Sequence, residues 1–122
     1  MKRAEARELA FKSIYSKFFI YEEQEDTEAA QESSEFVNNI IANFQEHKDE
    51  INNKISSHLK GYTLERVYKI DLAILVLAVI ELDYIKENPK QVIINEAVEL
   101  AKKFSTEKSP RFINGVLADI VK

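Results

Sequence analysis

The stretch DLAILVLAVIELDYIK, residues 71–86, is apolar on every side of a helix from 72 to 80. A helix without a polar face has to be covered by its neighbours, so this segment predicts the centre of a bundle around which the rest of the chain is arranged. The uncharged run is bracketed by Asp71 and Glu81 and falls far short of the roughly 20 residues that cross a bilayer. Burial in protein is therefore expected, with no membrane partner. Asn88 and Pro89 are the expected stop.

Working upstream, Thr63 is placed to cap a short turn through Leu64 and Val67. Before it, Ile51, Ile55 and Leu59 recur at helical spacing and end ahead of Gly61, which suits a C′ position. Phe36, Val37, Ile40, Ile41 and Phe44 form another stripe, with Ser33 or Ser34 as its cap. At the start of the chain Ala6, Ala10, Ile14, Phe18 and Tyr21 fall on one face, widened by Phe11 and Tyr15. Downstream, Val92, Ile93, Ala97, Leu100, Ala101 and Phe104 mark a further helix. Ser109 and Pro110 then read as the N-cap and N1 pair of a last one carrying Ile113, Val116, Leu117 and Ile120.

The reading is an all-α bundle of about six or seven helices in a single domain, residues 1–122. Composition agrees with it. Gly61, Gly115, Pro89 and Pro110 are the only glycines and prolines in 122 residues, about 3% against a usual value near 12%, which excludes a turn-rich sandwich or barrel. The absence of cysteine removes disulfides, thiolate zinc sites and thiol nucleophiles. The charged N-terminus lacks the apolar segment of a signal peptide, so a cytoplasmic location is expected.

The net charge of −4 hides a segregation. Lys2, Arg3, Arg7, Lys12 and Lys17 outnumber Glu5 and Glu8 near the start, and Lys102, Lys103, Lys108, Arg111 and Lys122 outnumber Glu107 and Asp119 near the end. Between 22 and 35 lie Glu22, Glu23, Glu25, Asp26, Glu28, Glu32 and Glu35 with no base, an acidic connection without apolar periodicity. If the two basic ends meet in space they make the positive patch that a polyanion needs. Arg3 and Arg7 share the apolar face of the first helix, and an unpaired arginine is seldom buried. The expectation is that residues 1–7 form a basic arm whose guanidinium groups project free.

Catalytic patterns are lacking. His47 and His58 stand apart from any Asp, Glu or His set at metal-ligand spacing and read as exposed side chains. No Gly-rich phosphate loop or nucleophile elbow occurs, so the expectation is a binding protein, not an enzyme, with neither cofactor nor metal. The basic arm with Tyr15 two turns beyond Arg7 suits single-stranded RNA, whose phosphates are held by cations and whose bases stack on rings. Tyr15 also fits a half-buried core ring, and periodicity leaves both roles open.

Residues 94–104, INEAVELAKKF, followed by Ser109, Phe112 and 113–117, INGVL, closely resemble the C-terminal signature of the NusB family of transcription antitermination factors. The segment 71–75 with Ala78, Glu81 and Leu82 resembles the family's central helix, and 3–10 with Tyr15 its arginine-rich start. The resemblance implies two packed helical subdomains and binding of boxA RNA from ribosomal RNA operons. It also implies partnership with the small-subunit ribosomal protein NusE in the RNA polymerase antitermination complex, and a possible homodimer. Residue by residue, it implies RNA contacts at Lys2, Arg3, Arg7 and Tyr15 and a protein-partner role for Asp71. Asn95, Glu96 and Asn114 match motif positions read as structural, bonding helix to helix.

Three positions depart from the family pattern. Val76 stands where an arginine is common, Ser105 where a glycine follows the phenylalanine, and Lys108 where the residue is often acidic. The last adds positive charge beside Ser109 and joins the expected RNA contacts. Two alternatives remain at this stage. One is an RNA-associated module related to ribosomal RNA cytosine methyltransferases, without their nucleotide-binding segment. The other is a helical protein-interaction module.

Overall fold

The computed structural model describes residues 2–18, 35–61 and 63–122. Within them the chain forms α1 (Arg3–Lys17), α2 (Glu35–Glu46), α3 (Lys48–Ser57), a 3-10 turn (Leu64–Arg66), α4 (Lys69–Ile80), a π-helical turn (Glu81–Ile85), α5 (Lys90–Phe104) and α6 (Ser109–Ile120). Among the described residues there is no strand, as the scarcity of turn residues predicts. The acidic connection falls outside the described residues except for Glu35, which opens α2. Tyr21, Ser33 and Ser34 also lie outside them.

All ten side chains from Asp71 to Ile80 are buried, so the stretch without a polar face does run through the middle of the bundle. α1 pairs with α2 and α5 with α6, while α4 packs against both pairs and against α3. The predicted stripes supply the rest of the core: Ala6, Ala10, Phe11 and Ile14 from α1, Phe36, Val37, Ile40 and Phe44 from α2, Ile51 and Ile55 from α3, and Ile113, Val116 and Leu117 from α6. Val76 is fully buried within α4. At that point an arginine would have to be desolvated, and valine fills the space instead.

Several element ends differ from the sequence reading. α3 stops at Ser57 with His58 as its C-cap, and Gly61 takes a φ of +88° in the turn beyond, where a side chain would be strained. The central helix, by contrast, ends within the predicted 71–86 stretch, ahead of Asn88 and Pro89. It widens into the π turn and ends at Lys86, which adopts left-handed backbone (φ 58°, ψ 29°) and donates its N–H to the Glu81 carbonyl. Pro89 instead caps α5 from an extended conformation. Lys108, not Ser109, is the N-cap of α6, because the Ser109 hydroxyl is engaged elsewhere.

The π turn aims Asp83 and Tyr84 at α3. Asp83 takes the Lys54 ammonium at 2.6 Å. Tyr84 stacks on His47 with ring centroids 4.2 Å apart and donates its hydroxyl to Glu50 at 3.1 Å. Burial and the Glu50 carboxylate raise the Tyr84 phenol above its ordinary range. His47, stacked on Tyr84, and His58, 2.7 Å from the Asp119 carboxylate, are half-buried and engaged, contrary to the expectation of exposed imidazoles.

Candidate nucleic-acid interface

The arm is anchored. Lys2 is exposed ahead of α1, but Arg3 lies 3.0 Å from the Glu87 carboxylate and 4.2 Å above the Phe36 ring. Arg7 is buried, and its Nε and Nη2 donate to the two Glu81 carboxylate oxygens at 2.9 and 3.0 Å. The expectation of a free Arg7 guanidinium is thereby corrected. The reason is Glu81, a carboxylate buried at the end of an apolar helix that needs a cation beside it. That signal was present in the sequence as an acid inside the most apolar segment, with no way to tell which cation would reach it.

The two basic ends do meet. Glu8 on α1 accepts from Lys103 on α5 at 2.9 Å, and the Lys12 and Lys103 ammonium groups each lie 5.3 Å from the centre of the Phe104 ring. Hydrogen bonding from Lys103, with the field of Lys12, holds the Glu8 carboxyl below its ordinary range. Lys102 stands beside them, bonded to Glu99. Two cations around one aromatic ring, drawn from helices far apart in sequence, make a compact basic and aromatic face. Sequence reasoning counted these lysines as charge but did not place them.

Tyr15 is half-buried and packs against the core, with its ring 6.4 Å from Phe11. Lys108 is exposed and lines a cleft of about 280 Å³ with Arg66, Tyr68, Asp71, Thr106 and Phe112. Tyr68 is 53% exposed there, and neither it nor Arg66 was singled out from sequence. Asp71 forms the inner wall. Its carboxylate is buried and accepts from Ser105 at 2.6 Å and Ser109 at 3.0 Å. Ser109 also accepts the Thr106 N–H at 3.3 Å. The serine that replaces a glycine at 105 thus ties the α5–α6 turn to the start of α4.

The sequence-predicted residues therefore divide between two places. Arg7 meets Glu81 just beyond the last turn of α4, whereas Lys108 flanks Asp71 in its first turn, about 15 Å away along the axis at 1.5 Å per residue. Asn95 is exposed and accepts from Gln91 on its own helix, so among the described residues it does not bond helix to helix. Glu96 does reach across, lying 3.9 Å from Arg7. Asn114 is exposed. Among the described residues no group of three His, Cys, Asp or Glu side chains could hold a metal. No helix there is long and apolar enough to cross a membrane.

Comparison with known proteins fixes the lineage. The model of the NusB family matches residues 4–122. The chain belongs to the NusB family. A transcription antitermination protein NusB from Bacillus mycoides is 41% identical over 126 aligned positions, covering 98% of this chain and 97% of that protein. One from Finegoldia magna is 50% identical over 72% of this chain and 64% of its own length. Among solved structures, NusB from T. maritima superposes with a TM-score of 0.89 at 29% identity, covering 98% of this chain and 90% of that one. A NusB in complex with NusE and double-stranded RNA superposes with a TM-score of 0.84 at 27% identity, covering 98% and 97%. The resemblance seen in the NusB signature at 94–117 therefore extends over the fold.

Proposed function

We propose that this chain is a transcription antitermination factor that binds boxA-type single-stranded RNA together with the ribosomal protein NusE, as a cytoplasmic member of an RNA polymerase antitermination complex. The observation that carries the reading is the convergence of Lys12 and Lys103 on Phe104, a cationic and aromatic surface on an otherwise acidic protein. Its chemistry suits a strand whose phosphates need neutralising and whose bases have π-faces. The NusB captured with NusE and RNA, and the naming of the relatives as antitermination proteins, support the same reading. They favour a binding protein over the methyltransferase-related and pure interaction modules.

In this reading Lys2 and Arg3 contact RNA from the arm, Tyr15 lies beside its path, and Lys108 contacts it from the cleft. Arg7, buried against Glu81, serves the interface by fixing α1. Asp71 sits where NusE would dock and holds the turn that bears Lys108. The test is a titration of full-length protein with boxA RNA, a scrambled strand and an RNA duplex, with and without NusE, at several salt concentrations. Preferential binding of the boxA strand, tightened by NusE, is the expected result. Equal binding of all three, unaffected by NusE, would overturn it.

A further inference from the structure

Gly115 stands in the interior of α6, with ordinary helical backbone: the only glycine of positive φ is Gly61. Among the described residues a Cβ built on it would meet nothing within 4 Å. Neither conformation nor packing among those residues calls for a glycine there, and a glycine in a helix interior weakens it relative to alanine. A contact from outside the chain would account for it.

What lies around Gly115 points to an occupant. Arg111, Gly115 and Asp119 form one row along α6 at intervals of four, so the missing side chain is a notch in a ridge. The row borders a cleft of about 270 Å³ shared with His58, Lys60, Phe112 and Val116. Half-buried Phe112 and buried Val116 supply apolar walls. Asp119 is already held, with His58 Nδ1 at 2.7 Å and Lys60 Nζ at 3.9 Å. Arg111 is exposed and has no ion pair among the described residues, and the Lys60 side chain is 85% exposed. The charge left unspent at the rim is therefore positive.

We propose that this cleft docks an acidic amphipathic helix of a protein partner, with an apolar side chain seated over Gly115 and a carboxylate one turn away on Arg111. A notch in a helix ridge accepts a knob from a second helix, and a guanidinium fork matches a carboxylate. A nucleic-acid strand fits less well, because the Asp119 carboxylate lines the cleft and its two rings, Phe112 and His58, are both half-buried. This site is separate from the lysine and Phe104 face and does not depend on RNA binding there.

The probe is a fluorescent synthetic helical peptide with leucines along one face and glutamates beside them, titrated against the full chain. Its partner control carries lysine in place of every glutamate. Gly115→Leu fills the notch in open space, so this variant should melt no lower than the parent yet bind the acidic peptide about tenfold more weakly, the loss typical of a blocked central contact. Arg111→Glu should weaken the acidic peptide and favour the basic one. A parent that does not bind the acidic peptide, or binds it equally well after Gly115→Leu, overturns the proposal. So does a result in which both substitutions spare the peptide and weaken single-stranded RNA, which would make the cleft an RNA contact.

Discussion

Arg7 and Glu81 form a two-pronged ion pair in which both side chains are at most 5% exposed, joining α1 to the end of the central helix. Breaking such a pair leaves one charge buried alone, which typically costs about 3–5 kcal/mol, whereas replacing both partners by apolar groups is often neutral. Arg7→Met and Glu81→Leu should each destabilise the fold by about that amount, and the double variant should recover most of the loss. Urea unfolding of the three proteins checks this. Additive losses in the double variant would show that the two residues act separately.

RNA affinity should depend on salt through the lysines around Phe104. Lys12→Gln with Lys103→Gln removes two candidate phosphate contacts and only exposed ion pairs, worth little to stability. The slope of log affinity against log salt should flatten by about 1.4, at roughly 0.7 per phosphate for a single strand, with the melting temperature within a few degrees of the parent. An unchanged slope would remove this face from the interface. The same titration on Lys2→Ala with Arg3→Ala tests the arm, leaving Arg7 in place.

Tyr15 is distinguished by ring and hydroxyl variants. If it stacks on RNA, Tyr15→Phe should bind nearly as the parent does, and Tyr15→Ala should lose about 1–3 kcal/mol of affinity. If it only packs, alanine should lower stability by a few kcal/mol and leave affinity of the folded protein intact. Thermal melts and RNA titrations on the two variants, well below the melting temperature, separate the outcomes.

Asp71 accepts from Ser105 and Ser109, so its removal is expected to loosen the α5–α6 turn. Asp71→Ala should cost about 1–3 kcal/mol, the range for a buried group left without its partner, and Ser105→Gly should cost less because Ser109 still reaches the carboxylate. Asp71→Asn keeps the shape and removes the charge. If that variant folds at parental stability and still loses NusE in a pull-down titration, the carboxylate contacts the partner directly. Retention of NusE would confine Asp71 to the turn.

Acid should weaken the contact between α6 and the end of α3. The hydrogen bond from His58, together with Lys60, holds the Asp119 carboxyl below its ordinary range. A carboxylate with a lowered folded pKa contributes stability above its unfolded pKa and loses it as pH falls through the folded value. The melting temperature of Asp119→Asn should therefore fall less than the parent's between about pH 5 and about pH 2. Parallel curves for the two proteins would sink the assignment.

The helices were legible where periodicity was strong. Residues 72–80 predicted a covered helix, and Phe36, Val37, Ile40 and Phe44 predicted a buried stripe, because burial of one face follows directly from helical spacing. Ends were less legible. A left-handed lysine at 86 carries no glycine signal, and Ser109 looks like a cap until its hydroxyl is seen to serve Asp71. The interface was legible as charge but not as geometry. Which cation is buried depends on a carboxylate 74 positions away, and the meeting of Lys12 with Lys103 depends on how α1 lies along α5.

The π turn at 81–85 acts as a phase offset in the central helix. Its i to i+5 bond from Lys86 to Glu81 accommodates one residue more than an α turn, and each helical residue is about 100° of rotation at 3.6 per turn. Deleting a single residue here would swing Asp83 and Tyr84 off Lys54 and His47 even though every buried residue of α4 stayed in place. What the segment transmits to its neighbours is an angle, and the angle is set by the number of residues it contains.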